Sequence, residues 1–247
     1  MSMWETSVRG AWRQLMRVAE HRIGTVEELG RALPGAGTDA NPVLLVHGYG
    51  NNHSSMGAIE RSLTRDGFRA FHVDLPEFGY GDALADARVV GDRIDAIRAA
   101  TGAHQVDIVG HSRGGVVART WQQLLDTQHA TGRVVTVSSA NQGLHLGPAD
   151  GVLAGALPEG MQQIRRGASL IDDLAATRAG SDVIAVGTDG IDGIMVPASA
   201  ARVQGAPWIA VDHGRTIGPL SQVGHYGILR DDRAYEAIRG ALLRPRP

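Results

Sequence analysis

The run from Val106 to Gly115, Val-Asp-Ile-Val-Gly-His-Ser-Arg-Gly-Gly, constrains this chain more than any other stretch. A short apolar run of β-type residues leads into Gly-His-Ser-Arg-Gly, and a helical pattern from Val116 to about Leu125 follows. Gly-x-Ser-x-Gly between a strand and a helix describes a nucleophile elbow. The chemistry sets the spacing. A serine hydroxyl attacks usefully only when it is accessible, aimed at a base and close to donors for an oxyanion. A sharp strand-to-helix turn meets all three needs through a strained backbone. Gly110 and Gly114 let strand and helix approach without a Cβ clash. The helix start behind Ser112 offers unpaired N–H groups to developing negative charge.

Around this run, strand and helix patterns alternate. Val43–Val46, Ala70–Val73, Val106–Val109, Val134–Val137, Val183–Val186 and Trp208–Val211 read as short strands. Ser54–Asp66, Ala83–Thr101, Val116–Leu125 and Tyr235–Leu243 read as helices. Short continuous apolar strands between helices predict an α/β fold with a mostly parallel central sheet covered on both faces. Two features sit outside the alternation. Residues 1–41 form an expected N-terminal helical extension packed on the domain of residues 42–247. Its parts are an amphipathic helix over 3–20 (Trp4, Val8, Trp12, Leu15, Met16, Ala19), a shorter one over Val26–Leu33 and a Gly/Pro-rich loop to Pro42. The segment 142–180 is long for a connection and carries Leu144, Leu146, Val152, Leu153, Leu157, Met161, Ile164 and Leu170. It reads as a small lid-like insertion or a covering helix.

A serine nucleophile needs a base, an orienter for that base, and oxyanion donors. The loop His47-Gly48-Tyr49-Gly50-Asn51-Asn52 follows the first strand and can supply one donor, the Tyr49 N–H; the Arg113 N–H, just after the nucleophile, supplies the other. His47, at a strand end, is expected to hold the loop by hydrogen bonds. Of ten histidines, His225 stands on a loop before the closing helix, where a late base belongs, with His213 as its rival. His21, His53, His72, His104 and His129 are expected at the surface or in structural roles. Asp189 and Asp192 both lie past the strand Val183–Val186, at the sheet end where catalytic groups gather. Asp192, just ahead of Ile194-Met-Val-Pro197, is preferred as the orienter and Asp189 is the alternative. Asp74 is expected to be structural.

These stretches together resemble the α/β-hydrolase superfamily, and within it the bacterial triacylglycerol lipase/esterase group. The resemblance is carried by Pro42–Asn52, Val109–Arg119, Asp192–Ala200 and Gly224–Asp232, and covers roughly residues 42–243. It implies an α/β-hydrolase fold, with Ser112 as nucleophile, His225 as base, Asp192 as orienter, and the N–H groups of Tyr49 and Arg113 as oxyanion hole. The implied activity is carboxylic ester hydrolysis through an acyl-enzyme on Ser112. An acyltransferase or thioesterase on the same triad, or a non-catalytic binding protein of this fold, are the alternatives. The steps need no metal and no organic cofactor.

Composition narrows the partners. A net charge of −2 gives no electrostatic footprint for nucleic acid. The cations are all arginine, and the absence of cysteine removes disulfides and thiolate metal sites. No stretch reaches the roughly 18 apolar residues of a membrane span. A small-molecule ester or lipid is the expected partner, with transient contact at a lipid interface. The first residues lack a signal-peptide pattern, so the sequence as written reads as cytoplasmic, or as secreted if a leader was removed.

Overall fold

The structure, a computed structural model, describes residues 40–145, 157–177, 182–190, 192–195, 197–211 and 224–245. The helices expected over 3–20 and 26–33, His21, His213 and the middle of the 142–180 segment lie outside the described residues.

Six strands form one sheet, and every pairing in it is parallel: β1 (Val43–Val46), β2 (Ala70–Val73), β3 (Val106–His111), β4 (Thr131–Val137), β5 (Val183–Gly187) and β6 (Trp208–Ala210). Their order is β2-β1-β3-β4-β5-β6. The chain runs outward from β1 to β2, then returns to place β3 on the other side of β1. That reversal opens a crevice at the carboxyl ends of β1 and β3, where open α/β sheets bind ligands. The loop after β1 begins with His47 and the loop after β3 carries Ser112, so both candidate loops meet at the reversal.

Because side chains alternate along a strand, each strand serves both faces. Val43, Leu45, Val109, Val135 and Val186 enter one core with Ile59 and Leu63 of α1 (Gly57–Arg65) and Ile238 and Leu242 of α6 (Asp232–Leu243). The other face receives Leu44, Val46 and Ile108 and is covered by α2 (Ala83–Thr101) and α3 (Arg113–Thr120). All these strand residues are fully buried, each removal from water stabilising by about 1.5–3 kcal/mol. The termini of α2 are set locally: the Asp82 side chain accepts from the Ala85 N–H at 2.7 Å, and Gly102 closes the helix at φ 69°.

Several elements are longer than their sequence patterns. α3 starts at Arg113, not Val116, and ends in a π-helical turn over Trp121–Leu125. β4 starts at Thr131, not Val134, because the Asp126 carboxylate takes the Ala130 and Thr131 N–H groups at 3.0 and 2.7 Å. Arg133, buried in that strand, donates through Nη1 to the carbonyls of Ala241, Leu242 and Arg244 at 2.7–3.0 Å. A cation there satisfies the orphan acceptors and the negative end of α6. In the 142–180 segment, the described part forms α4 (Glu159–Gln163) and α5 (Ser169–Ala176). Leu170, Ile171 and Leu174 of α5 are buried, and Arg119 of α3 reaches the Leu174 carbonyl at 3.0 Å.

Candidate active site

The turn from β3 to α3 puts Ser112 at φ 53°, ψ −126°, a region where only glycine is at ease. The surrounding glycines explain how the chain fits. A Cβ on Gly110 would stand 2.6 Å from the Gly114 carbonyl oxygen, and one on Gly48 would stand 2.8 Å from Ser112 Cβ. A side chain on Gly115 would run into Ser139 Oγ. Gly110 and Gly114 were legible from the pentapeptide; Gly48 and Gly115 are required by the partners that tertiary structure brings against them.

Ser112 Oγ lies 2.8 Å from His225 Nε2, and His225 Nδ1 lies 2.9 Å from Asp192 Oδ1. All three residues are buried. With Nδ1–H donating to the carboxylate, Nε2 is left as acceptor for the serine hydroxyl. Asp192 is itself held. Its Oδ1 accepts from the Met195 and Ile194 N–H groups at 2.8 and 3.1 Å, and its carbonyl accepts the His225 N–H at 2.8 Å. Burial pushes the Asp192 carboxyl up, but the hydrogen bond and charge of His225 and the two loop N–H groups outweigh it and hold the group below the usual carboxylate range.

The remaining candidates fall into place around these three. The backbone of Tyr49 lies on the loop after β1 and that of Arg113 at the first residue of α3, on the two loops that meet at the crevice. His47 ties its loop down as expected: Nε2 accepts from the Leu75 N–H at 2.9 Å and Nδ1 donates to the Gly48 carbonyl at 2.9 Å. Burial lowers its pKa, which keeps the ring neutral for that acceptor role. Asp189 is elsewhere, exposed, with Arg202 at 2.8 Å and Trp208 Nε1 at 3.2 Å. Asp74 accepts from the backbone and ring of His53, at 2.6 and 2.8 Å. His104 and His129 are exposed, and His72 sits on β2 against Glu60.

Three buried polar side chains at or behind the site had no local signal for the partners they take. His111 donates from Nε2 to the His225 carbonyl at 2.8 Å. The Arg113 side chain pairs with Asp86. Arg119 binds Asn141 Oδ1 at 3.2 Å, and burial lowers its pKa to about 10. Among the described residues no cluster of His, Asp and Glu converges to hold a metal, and no helix is long and apolar enough to cross a membrane.

A family profile of the alpha/beta hydrolase fold matches residues 41–174. Solved structures agree on the architecture. A Bacillus licheniformis lipase in its mature form is 16% identical at a TM-score of 0.67, covering 86% of this chain and 96% of that one. Aspergillus fumigatus lipase B is 16% identical at 0.66, covering 87% of this chain and 56% of that one. A lipase-esterase related protein from Clostridium acetobutylicum is 15% identical at 0.60, covering 84% and 97%. Such low identities speak for the fold alone. The profile, however, spans more than half of the 247 residues, from the strand before the His47 loop through the elbow and into α5, and on that match the chain belongs to the alpha/beta hydrolase family.

Proposed function

We propose that this protein is a serine carboxylic ester hydrolase of the lipase/esterase type, with Ser112 as nucleophile. The observation that carries the reading is the continuous hydrogen-bonded run Asp192–His225–Ser112, at 2.9 and 2.8 Å. His225 Nε2 takes the Ser112 proton as Oγ bonds to the ester carbonyl carbon. The carbonyl oxygen, now negative, is met by the Tyr49 and Arg113 N–H groups. Collapse expels the alcohol, which receives the proton from His225, and leaves an acyl-Ser112 ester. Water then attacks with the same base, releasing the acid and restoring Ser112. Asp192 keeps the ring in the tautomer that presents Nε2 and stabilises the imidazolium.

Substrate choice follows from the surroundings. The apolar segment 142–180 is the proposed acyl site and favours medium to long chains. Ile194 and Tyr226, exposed beside Asp192 and His225, give the site an apolar rim suited to esters met at a lipid interface. Hydrolysis of p-nitrophenyl esters from acetate to palmitate, wild type beside Ser112→Ala, tests the reading. Serine-dependent turnover that rises toward long chains supports it. A Ser112→Ala protein as fast as wild type overturns it.

A further inference from the structure

Both backbone donors assigned to the oxyanion hole hang on one buried ion pair. Arg113 carries one of them on its own N–H. Its side chain is fully buried and reaches Asp86 of α2, with Nη1 2.5 Å from Oδ2; the Asp86 side chain is only 3% exposed. Nη2 donates to the Gly81 carbonyl at 2.7 Å, so the guanidinium grips the turn that precedes α2. That turn holds the second donor. The Gly50 N–H donates to the Phe78 carbonyl at 2.8 Å, and the Tyr80 ring stands edge-on to Tyr49 with centroids 4.5 Å apart. Glu77 and Phe78 have φ of 50° and 55°, a conformation that persists only where the surroundings over-determine it. The same turn takes up α4: the Gly160 N–H donates to the Tyr80 carbonyl at 3.0 Å, and Gln163 Oε1 accepts the Ala83 N–H at 2.7 Å.

Stability alone does not account for the pair. Desolvation offsets most of the attraction in a buried ion pair, and apolar residues of similar volume often serve as well or better. Burial raises the Asp86 carboxyl above its ordinary value, with the Arg113 charge pulling the other way. What the pair does supply is a fixed direction between the elbow and the turn. Resting on the serine-hydrolase reading, we propose that Asp86 and the Arg113 side chain are positioning residues for the oxyanion hole, fixing the 78–82 turn so that the Tyr49 and Arg113 N–H groups converge on one point beside Ser112. Neither side chain touches substrate; both act through the backbone they hold.

Removing one partner leaves the other buried and unpaired, so the informative variant replaces both: Asp86→Leu with Arg113→Met. The test measures kcat and KM on p-nitrophenyl butyrate and the inhibition constant of phenylboronic acid, which mimics the tetrahedral intermediate, with a thermal melt to establish folding. The expected result is kcat lower by about 10- to 100-fold, boronate affinity weaker by a similar factor and KM within about twofold. A folded double variant with wild-type kcat and boronate affinity overturns the proposal. If the double variant does not fold, the isosteric Asp86→Asn variant is read the same way, with losses in the same direction expected and unchanged values contradicting. Ser112→Ala in the same assay separates the two claims. Serine-dependent turnover with unchanged variants sinks the positioning role alone, whereas turnover that survives Ser112→Ala sinks the serine reading as well.

Discussion

His111 and His225 meet inside the site: His111 Nε2–H donates to the His225 carbonyl oxygen at 2.8 Å, and the two rings lie 4.7 Å apart. A carbonyl only accepts, so Nε2 of His111 carries the proton. Burial, with the neighbouring His225 charge, takes the His111 pKa down to about 3, so the ring stays neutral where a second cation would oppose protonation of His225.

This relationship predicts a pH effect on stability. In the unfolded chain His111 returns to its ordinary value of 6.5. Between 6.5 and about 3 the unfolded state therefore binds more protons, and stability present above pH 6.5 drains away as the pH falls through that window. His47, also lowered by burial, adds a contribution of the same sign. His111→Gln keeps a donor but cannot titrate. Its melting temperature is expected to fall less steeply than wild type from pH 6.5 to 4; parallel curves would contradict the assignment.

Asp189 and Asp192 head two successive Asp-Gly-Ile triplets and give a clean contrast. Asp192→Asn removes the carboxylate that holds His225 in its tautomer, and kcat is expected to fall by roughly 10³–10⁴. Asp189→Asn loses only exposed partners and is expected to change kcat by less than about twofold, as exposed ion pairs contribute little. Steady-state kinetics on one soluble ester reads both, and equal losses would refute the assignment of Asp192.

Backbone strain at Ser112 should be visible in stability. Glycine tolerates φ 53°, ψ −126°, whereas alanine retains the Cβ that makes it costly. Ser112→Gly is thus expected to melt higher than Ser112→Ala, the reverse of the usual order. An alanine variant that melts higher would show that the elbow stores no such strain.

Glycines at the elbow and in a helix should respond with opposite signs. Gly110→Ala drives a Cβ to 2.6 Å from the Gly114 carbonyl oxygen and is expected to destabilise by about 2–3 kcal/mol. Gly240 lies in α6 with open space where a Cβ would go, and Gly240→Ala is expected to stabilise by about 0.5–1 kcal/mol. Urea titration of both variants checks the pair, and equal effects would contradict the packing argument.

The sheet was legible because its inner strands, β1, β3, β4 and β5, are short runs rich in branched apolar residues and buried on both faces. The elbow was legible because its chemistry demands fixed spacing. What escaped reading depends on distant partners. Arg113-Gly-Gly has poor helix propensity, so α3 appeared to begin at Val116, although the elbow fold forces the helix from Arg113. Thr131-Gly-Arg resembles a turn, yet Arg133 enters β4 because the carboxyl end of α6 neutralises it. Nothing local marks Asp86 as the partner of Arg113, or His111 as a neighbour of His225; both pairs form across long sequence separations. Sequence preferred Asp192 and kept Asp189 as the alternative, and the loop after β5 turns only Asp192 toward His225.

Ser112 as an activated nucleophile can be tested covalently. A fluorophosphonate reacts with a serine that a neighbouring histidine has activated, and the adduct can be located by peptide mass spectrometry. One adduct is expected, on Ser112, formed in step with loss of ester hydrolysis and absent from His225→Gln. An adduct on another serine, or full hydrolysis with Ser112 unlabelled, would contradict it.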